Sequence, residues 1–320
     1  MANLRAIKKR INSVQSTRQI TRTMEMVSSA KIRRATERVA AATPYALAME
    51  EMLASIAAGG GGTPHPLLEV HDEIDHVMVI AIASDRGLAG AFNSTVMKRA
   101  EKFIESFKTL GTKVDIIACG KKAIAYCAYR NYEVLRSYKD LSADPTSEQA
   151  REIAEVCQEL YVTGDLDEVY IIYNHARNAA DQDLYIDKIL PIQADKGIRF
   201  SRADLDEEAA EELERQEREN AERIAEERKT AKAGFEFEPD SDAVLNSLLP
   251  GYLETTIYHA LLDSAAAEQG ARRKAMKAAT DNATEMIETL TRVYNRARQS
   301  SITTEITEII GGAAAAEEDA

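Results

Sequence analysis

Apolar residues near the start of the chain recur at alternating steps of three and four. From Leu4 the series runs through Ile7, Ile11, Val14, Arg18, Thr21, Glu25, Ser28, Ile32, Ala35, Val39, Ala42, Ala46, Met49, Leu53 and Ile56. Twelve of these sixteen positions are apolar, and the four polar ones are consecutive. That is a heptad seam, the pattern of a helix that buries one stripe against a neighbour. Residues 2–57 hold no Gly and one Pro, Pro44. Pro44 is expected to kink or locally break the helix. At ~1.5 Å per residue the element reaches about 80 Å. The polar gap at 18–28 marks a stretch expected to face another neighbour. The run GGGGTPHP (59–66) closes the segment.

A second long seam, mixed in size, lies at the other end, from Leu248 through Tyr252, Thr255, His259, Leu262, Ala266, Gln269, Arg273, Met276, Thr280, Ala283, Ile287, Leu290 and Tyr294 to Ala297. It predicts a helix from about Asp242 to Ile310, with 311–320 as a frayed tail. Between the two, apolar runs bounded by turn residues alternate with helical periods. Strands are expected at 77–83, 114–118, 133–137 (weak), 169–174 and 184–192. Helices are expected at 93–110, 121–130 and 147–161. Such alternation predicts a mostly parallel, Rossmann-like α/β domain over 67–198. The simplest burial for both seams is against each other. A globular domain reverses the chain between them, so the expected pairing is an antiparallel coiled coil carrying an α/β foot. Residues 199–238 are expected to be an acidic insertion, helical or disordered.

Charge adds an asymmetry. The net is −13, yet residues 1–40 carry ten Lys/Arg against two acids. Residues 270–300 carry seven basic against three acidic, and 201–232 carry twelve acidic against seven basic. Basic ends suit an acidic protein, a membrane surface or nucleic acid. Nucleic acid is disfavoured because the basic helix lacks interleaved aromatics and its seam needs a protein neighbour. Cys119, Cys127 and Cys157 form no C-x-x-C pair, which fits reduced thiols. No signal-peptide core and no apolar run of ~20 residues is present, so membrane association is expected through partners.

Candidate chemistry is sparse. The loop Ser84–Gly90 sits where a phosphate-binding turn would lie, between a strand and a helix, but it is neither G-x-G-x-x-G nor a P-loop. It reads as a structural turn. His65, His71, His76, His175 and His259 show no metal spacing, and no hydrolase or metalloprotease constellation occurs. No catalytic residue, metal or cofactor is expected. Read from the elements alone, three classes stand: a noncatalytic helical coupling subunit, an α/β nucleotide-binding protein or enzyme with helical dimerisation arms, or a coiled-coil adaptor that binds nucleic acid through its basic end.

Four motifs narrow this. ITRTMEMVSSAKIRRA (20–35), SDRGLAGAFN (84–93), ATDNA (279–283) and YNRARQ (294–299), followed by ITTEITEIIGGA (302–313), resemble the gamma subunits of F-type ATP synthases, in the right order along the whole chain. Ala89 and Ala91 stand where that family often has Cys and Gly. The resemblance implies a noncatalytic central-stalk rotor. Its partners would be the alpha and beta subunits as a hexamer, the epsilon subunit and the c-subunit ring. The implied location is peripheral, on the cytoplasmic side of a bacterial cell membrane. By position in the motifs it implies stator contacts at Met24, Arg298, Gln299 and Thr303. It places the polar gap 18–28 at a bearing. It also places 201–232 where the chloroplast version carries a regulatory insert, here without that insert's cysteine pair.

Overall fold

The computed structural model describes residues 2–58, 65–178, 181–192 and 241–318. The acidic stretch 199–238 lies outside them. The elements, in order, are α1 (Ala2–Ala58), β1 (His76–Ile82), α2 (Phe92–Thr109), β2 (Lys113–Cys119), α3 (Lys121–Arg130), β3 (Arg136–Tyr138), α4 (Ser147–Val162), β4 (Glu168–Ala176), β5 (Gln182–Leu190) and α5 (Ser241–Glu318). The five strands form one sheet in the order β3-β2-β1-β4-β5, parallel except for the β4–β5 pair. The weak strand expected at 133–137 starts later, because only Arg136–Tyr138 finds a partner in Ile117–Cys119.

β1 is central, and Val77–Ile82 are all buried. Alternation along the strands splits the core in two. Val77, Val79 and Ala81 pack with Val96, Met97 and Ala100 of α2 and with Ala123 and Cys127 of α3. Met78, Ile80 and Ile82 face the other way, onto Ile153 and Cys157 of α4, Met49 and Leu53 of α1, and Leu249, Leu253 and Ile257 of α5. Thr146 caps α4 through a capping box with Gln149, which satisfies two orphan donors of the first turn.

The chain divides into two compact units: Met1–Val27 with Arg273–Ala320, and Ser28–Arg272. The division falls inside α1 and α5, not at the ends of the expected helical segments, because the stretches of both helices nearest the sheet in sequence bury apolar side chains against it. Within the larger unit α1 and α5 run antiparallel. Met49 is the near neighbour of Gly251, where an added Cβ would lie 3.3 Å from its Cε, while Ala35, earlier in α1, packs with Ala266 and Ala267, later in α5.

Two expectations about helix ends need correction. Pro44 does not break α1, which is continuous from Ala2 to Ala58. The loss of one backbone hydrogen bond is outweighed by burial of Val39, Ala46 and Met49 on both sides of it. α5 continues past Ile310 through Glu318. The residues after Gly311 and Gly312 are four Ala and two Glu, strong helix formers that offset the two glycines.

Candidate functional site: a collar around the C-terminal helix

Twelve consecutive residues of α5, 259–270, are buried. A helix that shows only one stripe to a core cannot achieve this; here α5 is covered on every side. Small side chains permit it. Ala266 and Ala267 pack with Ala35 of α1, with Ala176 at the end of β4, and with Ala89 and Phe92 from the loop after β1.

That loop is held from within. Asn93 Oδ1 accepts from the backbone N–H and the hydroxyl of Ser84, both at 2.9 Å. Asn174 Nδ2 donates to the Phe92 carbonyl at 3.1 Å. Asp85 is the hub. Its carboxylate accepts from the N–H groups of Lys121 and Asp140, both at 3.0 Å, and from the N–H and hydroxyl of Ser142 at 3.1 and 3.0 Å. Burial would raise its pKa, but these four donors outweigh it and hold the carboxyl below its ordinary value. Lys121 opens α3, so the protein's own carboxylate occupies the place where a phosphate would sit at that helix N-terminus. Gly120 closes the joint at φ 92°, and a Cβ there would lie 2.0 Å from the Ala83 carbonyl oxygen.

Three charged side chains of α5 meet the collar. Asp263, fully buried, accepts from His175 Nδ1 at 2.5 Å and from the Ala176 N–H at 3.0 Å. His175 stacks flat on Tyr185, with centroids 4.6 Å apart. Glu268 receives Arg272 Nη2 at 2.5 Å, and the same nitrogen donates to the Gly87 carbonyl at 3.3 Å. Burial raises the Glu268 pKa despite Arg272. Burial also lowers that of His259, against the pull of Asp263.

The smaller unit is built differently. Thr21, Met276 and Ala283 are the buried side chains among its described residues. Between residues 4 and 20 only Leu4, Ile7, Ile11 and Val14 are less than exposed, the positions of the heptad seam. The polar gap is mixed: Arg18 is exposed and Glu25 half-buried. Thr21 and Ser28 are buried, and Thr21 Oγ1 lies 2.7 Å from Thr280 Oγ1. The hydroxyls of Thr21 and Thr280 satisfy each other, so the seam continues through Thr21. Among the charged and polar side chains that face outward stand nine large apolar ones: Ile20, Met26, Val27, Met286, Val293, Ile302, Ile306, Ile309 and Ile310 are all exposed.

Among the residues expected to be stator contacts, Met24 is half-buried, one turn from Thr21, whereas Arg298, Gln299 and Thr303 are exposed. Thr303 Oγ1 donates to the Gln299 carbonyl at 3.0 Å. Arg298 is eighteen residues from Thr280, about 27 Å along α5, so the four do not form one cluster.

Elsewhere, His71 Nδ1 lies 2.7 Å from Asp167 and His76 Nε2 lies 2.9 Å from Asp115. No group of three or more His, Cys, Asp or Glu among the described residues could hold a metal ion. The three cysteines are free and buried, and burial pushes the Cys157 thiol up to about 12. No helix among the described residues is long and apolar enough to cross a membrane. Asp263, Glu268, Arg272 and His175 escaped the sequence reading as a site. The available signal was four charges inside the small-residue run ALLDSAAAEQGARR (260–273).

A family model described as ATP synthase matches residues 3–316. An ATP synthase gamma chain of Fusobacterium nucleatum is 41% identical over 98% of this chain and 100% of that one. One from Desulforamulus reducens is 39% identical over 99% of this chain and 100% of that one. Among solved structures, the rotor of the Euglena gracilis mitochondrial ATP synthase in rotational state 1 aligns at a TM-score of 0.60 and 19% identity, covering 94% of this chain and 99% of that one. The central stalk and c ring of the Tetrahymena thermophila enzyme align at 0.56 and 21%, covering 81% and 99%. Both structures share the fold. The chain belongs to the ATP synthase gamma-chain family.

Proposed function

We propose that this chain is the noncatalytic central-stalk rotor of a proton-translocating ATP synthase. It sits peripherally on the cytoplasmic side of a bacterial cell membrane, inside a hexamer of alpha and beta subunits, and binds the epsilon subunit and the c ring. The carrying observation is the smaller unit. It buries three described side chains and turns nine large apolar ones outward. Exposed apolar side chains in that number, beside so small a buried seam, suit a surface that a protein sheath covers.

The function follows from differential contact. An asymmetric helix pair turned inside a ring touches each catalytic site differently at each angle, and a ligand's affinity shifts by the difference in contact free energy between states. The basic stretches 1–40 and 270–300 suit weak, repeated contacts to acidic neighbours, at about 0–1 kcal/mol per exposed pair. Tight binding at any one angle would stall rotation. Met24, Arg298, Gln299 and Thr303 are proposed as stator contacts. The exposed Arg298 and Gln299 would meet polar groups of the surrounding subunits, and Met24, beside the Thr21–Thr280 pair, would meet an apolar one.

The test is co-expression with the alpha and beta subunits of the same organism. The chain is expected to co-purify with them, and alone to show neither ATP turnover nor nucleotide affinity. Turnover by the isolated chain would overturn the reading.

A further inference from the structure

Apolar packing fixes distance better than angle. Alanines 265–267 would fill their collar nearly as well if α5 turned about its own axis, because the hydrophobic contribution is non-directional. Something directional must therefore hold the helix in rotation. Asp263 has that geometry. Its carboxylate is enclosed at 0% exposure and takes two donors, His175 Nδ1 at 2.5 Å and the Ala176 N–H at 3.0 Å. A carboxylate only accepts, so Nδ1 carries the proton. Both donors belong to the last two residues of β4, and one is main chain, so the sheet itself fixes their positions. The imidazole cannot follow a turning helix, because Tyr185 stacks on it with an interplanar angle of 11°. Advancing α5 by one residue is a turn of about 100°. It would take the carboxylate from both donors and leave a buried charge without compensation, and buried polar groups are best attested in this kind of register setting.

We infer that Asp263 is the positioning residue that keys α5 to the sheet in rotation, so that torque on the sheet domain passes into the helix through the two hydrogen bonds of its carboxylate. This rests on the central-stalk reading.

The experiment uses the complete ATP synthase carrying this chain, in closed vesicles, and measures protons pumped per ATP hydrolysed. With Asp263→Leu the ratio is expected to fall at least threefold while hydrolysis stays within twofold of wild type. Asp263→Asn, which keeps an acceptor oxygen, is expected to stay within twofold in ratio but to stop pumping at a smaller opposing proton gradient. Leu261→Ala, a buried neighbour without polar contacts, is expected to lower heat stability and leave the ratio unchanged. If Asp263→Leu does not assemble, the limiting gradient of Asp263→Asn decides. A wild-type ratio in Asp263→Leu, an equal loss in Leu261→Ala, or an unchanged limiting gradient in Asp263→Asn would overturn the inference. A wild-type complex that hydrolyses ATP without pumping would instead overturn the central-stalk reading, and this inference with it.

Discussion

One helix, α5, passes through two environments. Residues 259–270 are buried on all sides by small side chains and carry charges with fixed partners. From 273 to 310 only Met276 and Ala283 are buried, and the outward face mixes charged side chains with the apolar Met286, Val293, Ile302, Ile306, Ile309 and Ile310. Where this protein must hold its own helix it uses directional, buried polar contacts. Where it must meet something else it uses a thin seam and leaves its apolar surface open. The first arrangement resists movement within the chain, and the second permits movement against a partner.

The comparison breaks most sharply at Gly120. An added Cβ there meets a backbone oxygen at 2.0 Å at φ 92°, whereas at Gly111, φ 87°, nothing lies within 4 Å. Gly120→Ala should destabilise the larger unit by about 4 kcal/mol or more through backbone displacement. Gly111→Ala should cost only the left-handed strain, about 1–2 kcal/mol. Thermal melts of the two variants side by side check this.

Next come the charges. Arg272→Ala leaves Glu268 buried without its cation and should cost about 3–5 kcal/mol. Arg298→Ala, on an exposed part of the same helix, should fall within about 0.5 kcal/mol of wild type in denaturant unfolding. The pH dependence separates two carboxyls of opposite sign. Glu268 has a raised folded pKa, so its proton-linked stability is present below its ordinary value of 4.5 and is lost as pH rises through the raised one. Asp85 has a lowered folded pKa, so its contribution is present above 3.8 and is lost as pH falls through the lowered value. Relative to wild type, Glu268→Gln should therefore gain stability as pH rises above 4.5. The deficit of Asp85→Asn should shrink as pH falls below 3.8.

The smallest effect belongs to the seam. The Thr21–Thr280 contact at 2.7 Å should show a coupling of about 0.5–1.5 kcal/mol in a double-mutant cycle of Thr21→Val and Thr280→Val. Zero coupling would return Thr21 to the outward role its polarity first suggested.

The seams were legible because period and burial share one cause. Leu4, Ile7, Ile11 and Val14 on α1, and Thr280, Ala283, Ile287, Leu290, Tyr294 and Ala297 on α5, are all at least half-buried. The burial of Thr21 was not legible because a hydroxyl is polar alone and satisfied when it finds a partner, and that partner lies 259 residues away at Thr280. The strands were legible as apolar runs, whereas β3 depended on what Ile117–Cys119 offered it. The collar was not legible. Asp263 looks like the solvent face of a helix until β4 brings His175, 88 residues earlier, against it. Ser84–Gly90 was read as a structural turn from its missing glycine pattern, but the bonds of Asp85 to the start of α3, to Asp140 and to Ser142, far along the chain, were not legible.

The central claim is that this chain turns. A probe fixed to the exposed Tyr129 side of α3, in a complex whose alpha and beta subunits are held to a surface, should rotate in one direction when ATP is added and stop when ATP is removed. ATP hydrolysis by that complex with the probe stationary would contradict the account.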